Sequence, residues 1–274
     1  MAPARQSAPI EQTGPVTIPD FAQWKQQGRK ISVLTAYDFP TARLLDEAGV
    51  DCLLVGDTLG MVVQGHETTL RVTVEQMVYH TEMVARASKR ALVVADLPFG
   101  SYESSAAHAV VSATRFLKET RCQAVKLEGG RRSASSIKAL VESGIPVMGH
   151  VGLTPQSVRK LGGFKVQRDV DGLVDDARAV ADAGAFAIVI ECVPNEAARR
   201  VTAELRIPTI GIGAGPHCDG QVLVTPDVLG LFQGFRPKFV RRYAELGDAV
   251  RAAAARYVAD VRAGAFPNDQ ESFH

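Results

Sequence analysis

Asp57, Asp96, Lys126, Glu128, His150 and Glu191 all stand at the ends of short apolar runs. Cys52–Gly56 leads to Asp57 and Ala91–Ala95 to Asp96. Ala124–Val125 leads to Lys126 and Glu128, Pro146–Gly149 to His150, and Ala187–Ile190 to Glu191. Asp57, Asp96 and Glu128 form an oxygen-only donor set, and hard carboxylates suit Mg²⁺ or Mn²⁺ better than zinc. Gly56 and Ala95 leave room beside the two aspartates. A cation held there with open positions could take the keto and carboxylate oxygens of a 2-oxo acid. It would then acidify the adjacent C–H. Glu191 and His150 are the candidate bases for that proton. Four apolar residues before Glu191 predict desolvation, which raises a carboxyl pKa toward neutrality. His150 reads either as a direct participant or as a hydrogen-bonded structural residue. Lys126 and Glu128 are two apart on a strand and share a face, roughly 6–7 Å apart along it. They would serve an anionic substrate and a metal, or form an internal ion pair.

Those six residues need a scaffold that brings strand ends together. Short β-branched runs between helical stretches read as buried parallel strands. Strands are expected at 31–36, 51–56, 91–95, 123–128, 146–150, 186–191, 207–212 and 221–225. Helices are expected near 40–48, 73–88, 104–120, 133–143, 171–183 and 195–204. Thr73-Val74-Glu75-Gln76 has capping-box form. Thr154-Pro155 and Thr225-Pro226 read as a cap before a first-turn proline, and Gly49, Gly144 and Gly184 follow helices as C-terminal caps. Eight strands in βα alternation predict a (β/α)8 barrel, whose C-terminal strand ends converge on one mouth. The rival is an open doubly wound sheet. It would gather site residues at one switch point, whereas here they end strands along the whole chain. Gly211-Ile212-Gly213-Ala214-Gly215 after the seventh strand is a tight loop needing positive φ, or a lining of the mouth by backbone N–H groups. A last helix, about 248–263, gathers Val250, Ala253, Ala254, Tyr257, Val258 and Val261 on one face for burial, on its own barrel or on a neighbouring subunit.

The 274 residues, 46% of them hydrophobic, suffice for a full core. Residues 1–16 read as a flexible leader, and 17–274 as one barrel domain ending in the last helix. The formal charge of +1, with no basic stripe, makes nucleic acid and membrane surfaces poor partners. No apolar stretch reaches the roughly 20 residues of a membrane span, and the leader has no apolar signal-peptide core. Cys52, Cys122, Cys192 and Cys218 lack metal-binding spacing and read as reduced thiols of a cytoplasmic protein.

The motifs resemble those of the ketopantoate hydroxymethyltransferase family from about Ile31 to the terminal Glu271-Ser272-Phe273-His274. They include Thr35-Ala36-Tyr37-Asp38, Val55-Gly56-Asp57-Thr58-Leu59-Gly60-Met61, Val63-Gln64-Gly65-His66, Ala95-Asp96-Leu97-Pro98-Phe99, Val125-Lys126-Leu127-Glu128-Gly129-Gly130, Gly149-His150-Val151-Gly152-Leu153-Thr154-Pro155-Gln156 and Glu191-Cys192-Val193-Pro194. The resemblance implies a (β/α)8 barrel of the phosphoenolpyruvate mutase and isocitrate lyase superfamily. It implies transfer of a hydroxymethyl group from 5,10-methylenetetrahydrofolate to 3-methyl-2-oxobutanoate, giving 2-dehydropantoate on the way to pantothenate and coenzyme A. It also implies one Mg²⁺ per subunit and a homodecamer. By resemblance, Asp57, Asp96 and Glu128 match the metal positions. Asp57, Thr58, Asp96 and Lys126 match the oxo-acid contacts, and Glu191 matches the proton acceptor. The folate comes from the resemblance alone.

Two departures stand out. Thr58 occupies a position that is usually Ser in the family, and Arg168 one that is usually Gly. Three rival activities are a lyase or mutase acting on an oxaloacetate-like diacid, Schiff-base chemistry at Lys126, and a barrel that only senses an oxo acid or folate. The Lys-Lys-Cys-Gly-His motif common in such lyases is absent.

Overall fold

A computed structural model of the chain describes residues 14–231, 234 and 236–274. The expected leader falls outside the described residues up to residue 13. Its last residue is not loose: Val16 is buried and donates its N–H to Arg90 O at 2.7 Å. The chain divides into two compact units, 1–222 and 223–274.

Eight parallel strands close into a barrel in chain order. They are β1 Ile31–Thr35, β2 Cys52–Val55, β3 Leu92–Asp96, β4 Ala124–Lys126, β5 Val147–Gly152, β6 Ala187–Glu191, β7 Thr209–Ile212 and β8 Gly220–Leu223. Closure excludes the open sheet. The helices of the first unit are α1 Ile18–Gln27, α2 Phe39–Glu47, α3 Leu59–Val62, α4 Val74–Ala87, α5 Ala106–Glu119, α6 Ala134–Glu142, α7 Val158–Leu161, α8 Val170–Asp182 and α9 Asn195–Glu204. The second unit holds α10 Thr225–Val228 and α11 Leu246–Arg262.

Strand residues alternate between two cores, as a pleat with both faces covered requires. Val93, Ala95, Val125, Val147, Ile188 and Ile190 belong to the larger core, shared with helix residues such as Met77, Phe116, Leu140 and Val180. Ile31, Val33, Cys52, Leu54, Leu92, Val94, Ala124, Met148, Ala187, Val189, Ile210 and Val222 fill the barrel itself. Phe21 and Trp24 of α1 join this inner core and seal its N-terminal end. Helix α1 is not among the elements expected from sequence. Its polar Lys25-Gln26-Gln27 end masks an apolar pair, Phe21 and Trp24, three residues apart, and the helix starts where Thr17 N–H meets Asp20 Oδ2 at 2.7 Å.

Several caps agree with the sequence. Thr73 and Gln76 form the reciprocal capping box of α4, and Gly49, Gly144 and Gly184 all take positive φ just past their helices. The Thr225 expectation is corrected. Thr225 is the first residue of α10 and Val224 the cap, because the turn begins one residue early. Gly213 and Gly215 have positive φ, as a tight loop demands. Val250, Tyr257, Val258 and Val261 of α11, expected to pack on the barrel or on a neighbouring subunit, are exposed in the single chain.

Candidate active site

The alternation that fills the barrel with apolar residues continues past them into polar ones. Leu92 and Val94 precede Asp96, Ala124 precedes Lys126 and Glu128, Met148 precedes His150, and Ala187 and Val189 precede Glu191. The same strand parity therefore delivers an apolar plug below and chemistry above, at the C-terminal end where barrel active sites lie.

Pairing brings Asp96 level with Lys126, and Gly152 level with Glu191. Lys126 Nζ lies 2.5 Å from Asp96 Oδ1, and Asp96 Oδ2 accepts the Asp57 N–H at 3.1 Å. Gly56 makes this approach possible: a Cβ there would sit 2.8 Å from Thr58 Oγ1 and 3.6 Å from Asp96 Oδ2. Thr58 Oγ1 is 2.8 Å from the Tyr37 hydroxyl. Glu128 lies two residues beyond β4, in a turn held from both sides. Its N–H donates to the Tyr102 hydroxyl at 3.2 Å, and its carbonyl accepts from Ser133 Oγ at 2.8 Å.

His150 Nε2 is 3.2 Å from Glu191 Oε2, and its Nδ1 is 3.7 Å from Glu128 Oε1 and 3.5 Å from Lys126 Nζ. The strand-end position of Glu191 is enforced by its backbone. The Leu153 N–H donates to Glu191 O at 2.9 Å. At Gly152, φ is 91° and an added Cβ would lie 2.3 Å from that same oxygen, so only glycine fits. Cys192, immediately after Glu191, is the only non-glycine with positive φ among the described residues. The Glu191 side chain is 16% exposed, so it sits at the rim rather than sealed as expected.

The electrostatics are unbalanced. Asp57, Asp96 and Glu128 are buried, and Lys126 is the one buried cation among the described residues. Burial, with the charge of Asp96 behind it, pushes the Asp57 carboxyl up to about 7. Burial and the charge of Asp57 push Glu128 well above the usual carboxylate range, against the pull of Lys126. Burial also draws the Lys126 ammonium down, but Asp96, Glu128 and Asp57 outweigh it and leave it above the usual lysine range. His150 is lowered by burial and by the Lys126 charge, so its imidazole is neutral at pH 7. With Lys126 as the donor nearest Nδ1, the remaining imidazole proton belongs on Nε2, toward Glu191.

A divalent cation fits this donor set on charge. Ionised together, as a bound cation would favour, Asp57, Asp96 and Glu128 exceed the one buried ammonium by two charges. Among the described residues, no group of three or more His, Cys, Asp or Glu side chains is arranged as a ready metal site. The all-oxygen donor set is of the kind that suits Mg²⁺ rather than zinc.

Comparison with known proteins is decisive for the family. The model of the ketopantoate hydroxymethyltransferase family matches residues 15–269. The chain belongs to this family. The 3-methyl-2-oxobutanoate hydroxymethyltransferase of Rhodopirellula baltica is 55% identical over 258 residues, 94% of this chain and 96% of its own. The enzyme of the same name from Moorella thermoacetica is 53% identical over 268 residues, 96% of this chain and 100% of its own. Among solved structures, phosphoenolpyruvate phosphomutase from Streptomyces platensis superposes with a TM-score of 0.60 at 16% identity, over 89% of this chain and 88% of that one. 2,3-Dimethylmalate lyase, described as a PEP mutase/isocitrate lyase superfamily member, gives 0.57 at 19%, over 93% and 91%. At such identities the likeness is one of fold, and it is the fold the sequence resemblance implied.

As a ketopantoate hydroxymethyltransferase family member, the chain brings all the sequence-selected residues to one mouth. It also brings one they did not include. Gln156 is buried between Asp57 and Glu128. Its Nε2 donates to Asp57 Oδ2 at 2.9 Å and its N–H to Glu128 Oε2 at 3.0 Å. A glutamine behind a proline, in the 3-10 turn Pro155–Ser157, reads from sequence as a solvated first turn. Only the two carboxylates that follow β2 and β4 reveal its place.

Proposed function

We infer that this chain transfers a hydroxymethyl group to 3-methyl-2-oxobutanoate, giving 2-dehydropantoate. The carrying observation is the set of three buried carboxylates and one lysine with a His–Glu pair at the rim, in a chain 52–55% identical to enzymes named for that reaction. Its one-carbon donor in this reading is 5,10-methylenetetrahydrofolate, and its cation is one Mg²⁺ per subunit facing Asp57, Asp96 and Glu128. Mg²⁺, when bound, would polarise the oxo acid's carbonyl and stabilise negative charge developing beside it.

The protein's own groups account for the rest. Lys126, held charged by its carboxylate neighbours, neutralises the substrate carboxylate. A lysine so protonated and pinned is a poor nucleophile, which weighs against the Schiff-base alternative. The Thr58 hydroxyl, 2.8 Å from the Tyr37 hydroxyl, supplies an orienting hydrogen bond to the substrate. Glu191 takes the C3 proton, and neutral His150 beside it steadies the carboxylate through Nε2–H. The carbanion at C3 then bonds to the donor's methylene carbon, whose two C–N bonds break. Water supplies the hydroxyl oxygen, and tetrahydrofolate leaves with both nitrogens protonated.

Among the described residues no helix is long and apolar enough to cross a membrane. All four cysteines are free, and burial, with the Glu191 charge, pushes the Cys192 thiol up to about 12, so it is inert as a nucleophile. Free thiols support a cytoplasmic site of action. The homodecamer is proposed from the family resemblance. The test is mass spectrometry of a reaction containing the protein, Mg²⁺, the oxo acid and 5,10-methylenetetrahydrofolate. The expected outcome is an oxo acid heavier by one CH₂O unit. Folded, Mg²⁺-supplied protein that makes none would overturn the reading.

A further inference from the structure

The mouth contains a buried amide whose orientation is dictated by its neighbours. The Tyr102 hydroxyl accepts the Glu128 N–H at 3.2 Å, so its single proton must go elsewhere. Gln156 Oε1 lies 2.5 Å away, and the Glu128 carbonyl lies 3.3 Å away. On the other side of the amide stand Leu97 O, which can only accept, and Asp57 Oδ2, at 3.0 and 2.9 Å from Nε2. A flipped amide would turn its NH₂ toward the hydroxyl and set its oxygen against a carbonyl and a carboxylate. One orientation alone satisfies every group. Gln156 is therefore an aimed donor, with its side chain holding the acid after β2 and its main-chain N–H holding the acid after β4.

We propose that Gln156 is a positioning residue for the cation site: its amide, aimed by Tyr102, fixes the Asp57 carboxylate, and its main-chain N–H fixes Glu128. This rests on the cation-site reading of the preceding subsection. Gln156 does not touch the reacting atoms. It acts through Asp57, whose Oδ2 loses this donor when the amide is removed. Partners that orient a metal's ligands typically change its affinity 10- to 100-fold when removed.

The test is titration of the full-length protein with Mn²⁺ alone, reading free Mn²⁺ by electron paramagnetic resonance, with thermal melts of each variant. Gln156→Met keeps the volume and removes donor and acceptor. It should raise the Mn²⁺ dissociation constant about 10- to 100-fold while still melting cooperatively. Tyr102→Phe, which frees the amide to flip, should raise it less. The double variant should lose less affinity than the two single losses combined, because both substitutions act on one amide. A lowered melting temperature with unchanged Mn²⁺ affinity in Gln156→Met would mean that the residue only packs, and would overturn the proposal. Should Gln156→Met not fold, Tyr102→Phe decides by the same affinity reading. Wild-type protein that takes up no Mn²⁺ would refute the cation site itself, whereas wild-type binding that the variants leave untouched refutes only the role of Gln156.

Discussion

Aspartates at the two ends of this barrel live by opposite rules. At the N-terminal end the buried acids Asp46 and Asp51 and the half-buried Asp219 are matched. Asp46 accepts the N–H groups of Lys89, Arg90 and Ala91 and the Ser88 hydroxyl. Asp51 holds Arg29 and Ser32, and Asp219 holds Lys25 and Thr209. Burial tends to raise Asp46, but its backbone donors outweigh that and hold it below the usual range. At the C-terminal mouth burial is instead joined by like charge, and Asp57 rises to about 7. The same side chain is lowered where backbone donors surround it and raised where burial and like charge outweigh its few donors.

Substitutions at the two ends separate these roles. The largest effect is expected at the rim. Glu191→Gln should slow C3–H exchange of the oxo acid about 10²- to 10⁴-fold, with oxo-acid binding retained by calorimetry. Removing the mouth's cation with Lys126→Met should cost about 3–5 kcal/mol in denaturant melts, because it leaves buried carboxylates uncompensated. Mg²⁺ should restore part of that loss. At the other end, Lys25→Met should cost about 1.5–3 kcal/mol through its bonds to Asp219 and Thr202. It should leave turnover unchanged; a fall in turnover matching that at Lys126 would erase the contrast.

The pH dependence should have opposite signs at the two ends. Asp46, lowered on folding, contributes stability above its unfolded value near about 3.9, and loses it as pH falls through its folded value. Melts of Asp46→Asn should lack that acid-side loss. Asp57, raised to about 7, is a burden that grows in metal-free protein as pH rises from about 4 to about 7. The melting gain from Mg²⁺ should therefore grow over that interval, and a gain independent of pH would contradict the burial of an unmatched acid. The smallest effect is expected at Tyr37→Phe, which loses the contact with Thr58. About 1 kcal/mol, or roughly fivefold in oxo-acid affinity, should go while exchange at saturation holds.

Much of this contrast is legible in the amino-acid sequence. Strands buried on both faces leave dense apolar runs, so all eight appear in the sequence within a few residues of their ends, and the acid after each of several runs marks the mouth. Asp51 and Asp219, which precede their strands, separate from Asp57 and Asp96 on direction alone. What stays hidden depends on contacts between distant residues. Helix α1 is defined by the inner core it caps, and Gln156 by carboxylates 28 and 99 residues away. The exposed apolar residues of α11 show that helical spacing alone does not say what covers a face.

The most direct test of the mouth as a cation-dependent carbon-acid site is proton NMR of 3-methyl-2-oxobutanoate with the protein in deuterated water. With Mg²⁺, wild-type protein should erase the C3 proton signal without any folate. With EDTA, or with Glu191→Gln, the signal should persist. Exchange that proceeds undiminished under EDTA, or in Glu191→Gln, would contradict the account.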